Sequence, residues 1–337
     1  MFRSIRFWVA VAIGTLLIAL FVLATDLGEI ADAFEGATYW YLGPAVVVLF
    51  ASFWLRCYRW SVLMRPVVSI SARRLFSYSI IGYMANNLLP ARAGELIRAY
   101  VLGERERVST MGTLGAIAVE RLFDGCVLVL MLLTAGAVTG LGDSRLQAIA
   151  IAASALFSVA LVVFYWLTLR EERAYRLADF LLARLPRRLA ERLRPHVNSV
   201  IGALRSVHDW RSFLLVAFFS LLGWTVEAGA YAIVGLAFNI DLGFAHYVLL
   251  LAAANLAIII PTFFGGAGPF EWAAKLVLVN AGLAGGLAAA YAIVAHAVVV
   301  APATLVGLIL LWTFGIPIAR LGRLTRVPVE ERSAVAP

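Results

Sequence analysis

Asn86 to Glu95 reads NNLLPARAGE, and Pro261 to Glu271 reads PTFFGGAGPFE. Each stretch interrupts an apolar run with proline, glycine and a glutamate. In a bilayer, backbone without helical partners and ionised side chains persist only where protein or a water-filled cavity surrounds them. Two such breaks at corresponding places in two halves of a chain point to a transport site between repeats.

The residues around the breaks set the environment. Of 337 residues, 63% are hydrophobic and 14% charged, with a mean hydropathy of +0.91. A soluble domain would carry about a quarter charged residues. This composition is that of a polytopic membrane protein. The net charge of +8 is almost wholly arginine, since Lys275 is the only lysine. The arginines flank apolar runs, as the positive-inside rule expects, so the basic balance points to membrane orientation and not to nucleic acid. Cys57 and Cys126 make neither a metal-ligand spacing nor a disulfide framework. Arg3 and Arg6 precede the apolar run 7–24, but no small-residue cleavage site follows, so that run reads as an uncleaved first helix.

A spanning helix needs about 20 apolar residues. Six segments qualify: 7–24, 39–56, 110–139, 147–169, 212–238 and 285–314. Residues 25–38 carry Asp26, Glu29, Asp32 and Glu35 with no base, and are read as outside. Residues 56–74 (Arg56, Arg59, Arg65, Arg73, Arg74) are read as inside. So are residues 170–211, with ten arginines against five acids, and the tail with Arg320, Arg323, Arg326 and Arg332. Residues 75–89 are short and flanked by bases on both sides, so they dip in from the cytoplasm and return. Residues 245–263 and 270–281 form the matching pair from outside. Within 170–211, leucines at helical spacing between arginines read as an amphipathic surface helix broken at Pro186 and Pro195.

The expected architecture is an all-α polytopic membrane protein, with about six full transmembrane helices and two re-entrant broken-helix hairpins in an inverted-topology repeat. The chain is a single transmembrane domain, 1–337. Its halves are 39–139 and 212–314, joined by 140–211 and followed by a cytoplasmic tail, 315–337. Sliding the first half onto the second by 176 places Glu95 on Glu271 and Glu120 on His296. The hairpin glutamate and the later polar residue are then 25 apart in both halves.

A charge at the bilayer midplane costs about 2.5–3.5 kcal/mol on insertion scales, so each intramembrane charge needs a partner or a purpose. Arg92 follows a proline inside the break, with no acid in the preceding turn, so its partner is remote or a ligand. Glu120 and Asp124 share a helix face, and Arg121 can bridge to Asp124 at i+3. Glu271 and Lys275 stand at i,i+4 in the favourable order, as a self-neutralising pair. Glu227, between Trp224 and Tyr231, is either a neutral hydrogen-bonded acid or part of a site. His296 reads as an interhelical donor or a proton relay. The amides of Gly266 and Gly268, ahead of a half-helix starting near Pro269, suit an anion. Asn87 and Arg98 complete the first break. The structural alternatives are an internal salt bridge at Glu271, a network tying the long helix to the first hairpin at Glu120, and a tight turn that needs small residues at the glycines.

Soluble-enzyme motifs are missing: there is no P-loop, G-x-S-x-G, H-E-x-x-H or Cys/His cluster. No metal or cofactor is expected.

The motif N-x-L-x-P-x-R-x-G-E-x-x-R, at Asn86/Asn87, Leu89, Pro90, Arg92, Gly94, Glu95 and Arg98, resembles the lysylphosphatidylglycerol synthetase transmembrane-domain family. Glu120, Arg121, Leu122 and Asp124 look like its E-R-x-x-D element. Gly265, Gly266, Ala267, Gly268 and Glu271 resemble its glycine-rich turn, although Phe264 stands where the family usually has proline. The resemblance covers about residues 7–315. It implies a stand-alone flippase domain without the aminoacyl-transferase domain, moving a lipid rather than aminoacylating it. The implied partners are membrane lipids with anionic or zwitterionic headgroups, with a possible homo-oligomer, and no nucleic acid. The expected location is the bacterial cytoplasmic (inner) membrane, with both termini cytoplasmic. The alternatives are a membrane-embedded enzyme acting on a lipid phosphate or polyprenyl-linked sugar, and a proton-coupled transporter of a small solute.

Overall fold

The computed structural model describes residues 5–89, 93–140, 147–148, 151–152, 154–159, 171–204, 207, 209–259 and 264–317. Among them the chain is helical, with no strand. Helix α1 (Ile5–Leu23) turns by 83° into the short α2 (Leu27–Glu35). The bend sits at Asp26, whose carboxylate leaves the α1 path to cap α2, accepting the Gly28 N–H at 2.7 Å. Helix α3 (Leu42–Met64) follows a single 3-10 turn, Tyr39–Tyr41.

Then come α4 (Ala72–Leu88), α5 (Gly94–Glu106) and α6 (Thr110–Thr139). Leu89 leaves the helical region because Pro90 follows it, and a residue before proline is pushed to extended backbone. The α6 start is fixed by Ser109, whose Oγ accepts the Gly112 N–H at 3.0 Å. The arginine-rich stretch forms α7 (Glu171–Leu182) and α8 (Arg187–Leu204). The last four helices are α9 (Trp210–Ala237), α10 (Phe244–Ala257), α11 (Pro269–Asn280) and α12 (Gly285–Thr313).

Four helices among the described residues are long and apolar enough to cross a membrane: α3 with its preceding turn, α6, α9 and α12. A fifth qualifies only when α1 and α2 are joined across their bend. The expected span 147–169 lies largely outside the described residues. Three expected spans coincide with α6, α9 and α12 to within a few residues. The fourth does not end where charge counting ended it. Helix α3 runs past residue 56 to Met64, so Arg56 and Arg59 belong to the spanning helix and not to a loop. Pro195 does not break α8 either; it lies inside the helix, and α8 packs along α6.

Helices α4, α5, α10 and α11 have 17, 13, 14 and 12 residues, short of the length needed to span. Helix lengths thus recur as long, medium, short, long in α3–α6 and again in α9–α12. Packing recurs with them. The most extensive contact joins α3 to α9; α4 lies on α12, and α10 lies on α6. Glycine makes the closest approach possible. A Cβ on Gly94 would fall 2.0 Å from the Gly82 carbonyl oxygen, so α5 folds back against α4 only with glycine there. The described residues flanking the two breaks, Asn86, Asn87, Gly265 and Gly266, line one cavity.

Candidate functional site

Arg56 and Arg59 lie three residues apart on the face of α3 that meets α9. Arg59 is fully buried. It forks onto Asp124, with the second arm 3.2 Å from Oδ2, and also reaches Glu120 at 3.1 Å and Ser220 Oγ at 2.8 Å. Asp124 accepts the Trp224 indole N–H at 2.9 Å. Arg98 donates to Glu120 at 2.8 Å and lies over the Trp60 ring. Arg121 bridges three acids: Glu120 at 3.0 Å, Glu95 at 3.3 Å and Asp124 at 3.5 Å. Arg56 pairs with Glu227 beneath the Trp224 ring, and Glu227 also accepts from Ser52 Oγ at 3.3 Å. Four arginines thus meet four acids. Ionised groups withdrawn from water persist when each is paired and hydrogen-bonded in this way.

The expected i+3 bridge from Arg121 to Asp124 is present, as is a network tying α6 to the first hairpin through Arg98 and Glu95. Glu227 is not a solitary acid; its partner is an arginine from the other quartet. Sequence reasoning missed Arg56 and Arg59 as site residues because it counted them as loop charges. Their three-residue spacing, with no acid on their own helix, was the available signal.

The second break is organised differently. Glu271 does not pair with Lys275. Its carboxylate turns back to accept the Gly268 N–H at 2.7 Å, closing the N-terminus of α11, and meets His296 Nδ1 at 2.5 Å. Capping its own helix end competes with the i+4 lysine and prevails. Lys275 instead donates to the Ala24 carbonyl at 2.9 Å and to Thr25 Oγ1, where α1 ends. The Gly268 amide, expected to be open to an anion, is therefore taken, and Gly268 itself lies under Leu17 of α1. Gly266 has φ +102°, and a Cβ there would meet Ile258 Cγ2 at 1.6 Å, so this turn requires glycine.

Between the breaks lies a cavity of about 450 Å³. Of the expected site residues, Asn87, Glu95, Arg121, Asp124, Glu227, Gly266 and His296 line it. Arg56, Tyr83, Trp224 and Tyr231 join them. Glu120, Arg98 and Glu271 stand behind this wall, each bound to a residue of it or to the network. Lys275 is remote, and Arg92 lies outside the described residues. Asn87 ties the breaks together, donating to the Val300 carbonyl at 3.2 Å and to Thr304 Oγ1 at 3.0 Å. Asn86 accepts the Gly94 N–H at 2.9 Å, doing for α5 what Glu271 does for α11. Among the described residues, no group of three or more His, Cys, Asp and Glu is placed to hold a metal ion.

These motifs sit within a known family. The family model described as the lysylphosphatidylglycerol synthase TM region matches residues 7–307. The chain belongs to this family. Two relatives, both described as UPF0104 membrane protein and both from Methanothermobacter thermautotrophicus, are 26% identical to it. One aligns over 85% of this chain and 89% of its own length, the other over 84% and 86%. A third, Glycosyltransferase AglD of Haloferax volcanii, is 25% identical over 80% of this chain, but the match spans only 48% of that protein. No solved structure matches. With four apolar helices of spanning length, this lysylphosphatidylglycerol synthase TM-region protein is a multi-pass integral membrane protein.

Proposed function

We propose that the chain moves a lipid with a polar headgroup between the leaflets of the cytoplasmic membrane, with the headgroup carried in the cavity between the two breaks. The observation that carries this reading is the cavity itself. A volume of about 450 Å³ suits a headgroup better than a whole lipid, and its charged wall is neutralised internally. A wall of paired charges tolerates burial when empty and can exchange its pairs for headgroup contacts when filled. Arg121 and Glu95 are the pair best placed for this, because their side chains stay 35% and 29% exposed. Arg121 would take a phosphate, and Glu95 a cationic or hydroxyl group.

In this reading α4–α5 and α10–α11 are re-entrant hairpins of an inverted repeat, entered from opposite faces with both termini cytoplasmic. The recurring helix lengths and the reciprocal packing of α4 on α12 and α10 on α6 support it. Rocking of one quartet against the other would open the cavity to each leaflet in turn.

The test is leaflet-resolved transport of fluorescent phospholipids in proteoliposomes. Arg121→Gln and Glu95→Gln should slow transport by roughly tenfold or more, the scale of one lost charged hydrogen bond. Wild-type rates in both variants would sink the assignment. Resemblance to a protein named as a glycosyltransferase supports a second reading, a membrane-embedded enzyme acting on a lipid phosphate or lipid-linked sugar. However, the shared region is about half of that protein. Mass spectrometry of lipids incubated with pure protein separates the two, because only the enzyme makes a new covalent product.

A further inference from the structure

The arginines in the cavity wall each have an acid bound to them, but one ring nitrogen there has no partner. His296 is 7% exposed and lines the cavity. Its Nδ1 meets Glu271 Oε1 at 2.5 Å, and Glu271 is held by the Gly268 N–H at 2.7 Å. Phe270 stacks on the ring with centroids 4.5 Å apart, fixing its plane. Nε2, on the far side of the ring from Glu271, is buried without a hydrogen-bond partner. Buried polar atoms are almost always bonded, and an orphan held in a fixed direction beside an open volume marks a ligand contact.

The surroundings say which kind of ligand. With Glu271 on the Nδ1 side, Nε2 is the nitrogen left for a second proton, and the imidazolium then donates from it. Gly265 and Gly266 line the same cavity just ahead of α11, whose N-terminal end Glu271 already caps. While the imidazole is neutral, the Glu271 charge repels an anion. Once a proton is added, the pair is neutral and presents an N–H.

We propose that His296, backed by Glu271, is an anion-binding residue of the cavity, taking a proton from solvent on Nε2 and donating it as a hydrogen bond to an oxygen of a phosphate group. The proposal rests on the cavity being the ligand site argued above, and it makes binding proton-linked. Helices α2, α3, α4, α9 and α11 pack against α12. From α11, Glu271 touches the ring, while Lys275 is bound to the end of α1. Arg56 of α3 and Glu227 of α9 are bound to each other, and Glu29 of α2 holds the Gly286 N–H. Tyr83 of α4 and Tyr231 of α9 face the cavity as phenols. Across the cavity, Glu95, Arg121 and Asp124 pair among themselves. Glu271 is the charge that acts on His296.

The experiment is calorimetry on the purified full chain in detergent, in two buffers of different ionisation enthalpy. The probes are dihexanoyl phosphatidylglycerol and dimethyl phosphate, phosphodiesters whose own charge is constant across the histidine range, about pH 5 to 8. The expected result is uptake of a proton on probe binding, with affinity rising as pH falls. His296→Gln should remove the uptake and weaken binding roughly tenfold or more. His296→Arg, with a fixed charge, should bind without uptake and with little pH dependence. Lipid binding much tighter than dimethyl phosphate assigns the site to a headgroup, and equal binding assigns it to free phosphate; with uptake, either supports the proposal. Wild-type binding without uptake, uptake unchanged in His296→Gln, or no binding of either probe overturns it. If the proposal fails while transport still depends on Arg121, the lipid reading survives. If it holds while no lipid crosses, the lipid reading falls alone.

Discussion

The first break and the second close their short helices in the same way and are anchored in opposite ways. At the first, Asn86 caps α5, and the helix is then wired to α6 through Arg98–Glu120 and Glu95–Arg121, with Arg59 of α3 closing the network. At the second, Glu271 caps α11, and the helix is held to α1 by hydrogen bonds to neutral acceptors. The Trp272 indole donates to the Leu17 carbonyl at 3.0 Å, and Lys275 donates to the Ala24 carbonyl and Thr25 Oγ1. Helix α2 is tied to the following helix, α12, by Glu29 accepting the Gly286 N–H at 2.9 Å. Interlocked buried charges are costly to break singly, because each loss strands a partner. Hydrogen bonds to neutral acceptors strand no charge when lost and are cheaper, about 1 kcal/mol each. The first break is therefore the rigid wall of the cavity, and the second is the side where a proton or ligand can change the wiring.

Mutations that remove one tie at a time test this contrast. Arg59→Met takes the closest of its ion-pair partners from Asp124 and one of three from Glu120, and should destabilise the protein by about 3 kcal/mol, read as thermal unfolding in detergent. Adding Asp124→Asn should recover part of that loss. A small effect of Arg59→Met alone would erase the distinction between the breaks. Next in size is Gly94→Ala, which drives a methyl into the Gly82 carbonyl and should cost about 1–3 kcal/mol. Gly266→Ala combines a positive φ with the Ile258 clash and should cost a similar amount. Comparable losses from the two glycines, beside the large Arg59 effect, would place the asymmetry in the charges and not in backbone crowding. Trp272→Phe should cost about 1 kcal/mol by removing the indole tie to α1. Lys275→Met should cost less still, because its ammonium is partly exposed and neutralises no acid. If Lys275→Met proved as damaging as Arg59→Met, the second break would be charge-locked after all.

Much of this arrangement is legible in the amino-acid order, and the illegible parts share a cause. Apolar length finds α6, α9 and α12, and the two glycine–proline breaks locate the cavity. The 25-residue spacing also has a physical counterpart: Glu271 touches His296, and Glu95 touches Arg121, the neighbour of Glu120. Arg56 and Arg59 could not be placed in the same way. Their partners Glu227 and Asp124 lie far along the chain, and an arginine at the end of an apolar run looks the same whether it enters a loop or a helix interior. Lys275 misled for a related reason. The i,i+4 rule sees only the helix that carries both residues, while Glu271 answered to its own helix end and to His296 on another. Long-range pairing and capping settle both cases, and neither has a local signature.

The central claim is that one headgroup sits between both breaks. Photo-crosslinking addresses it most directly, with benzoylphenylalanine placed in turn at Tyr83 near the first break, at Val299 near the second, and at Trp312, which is exposed on the outer surface of α12. Captured lipids would be identified by mass spectrometry after illumination in native membranes. The account predicts that Tyr83 and Val299 capture the same restricted lipid class, while Trp312 captures the bulk mixture. Bulk lipid at all three positions, or no lipid at either cavity position, would contradict it.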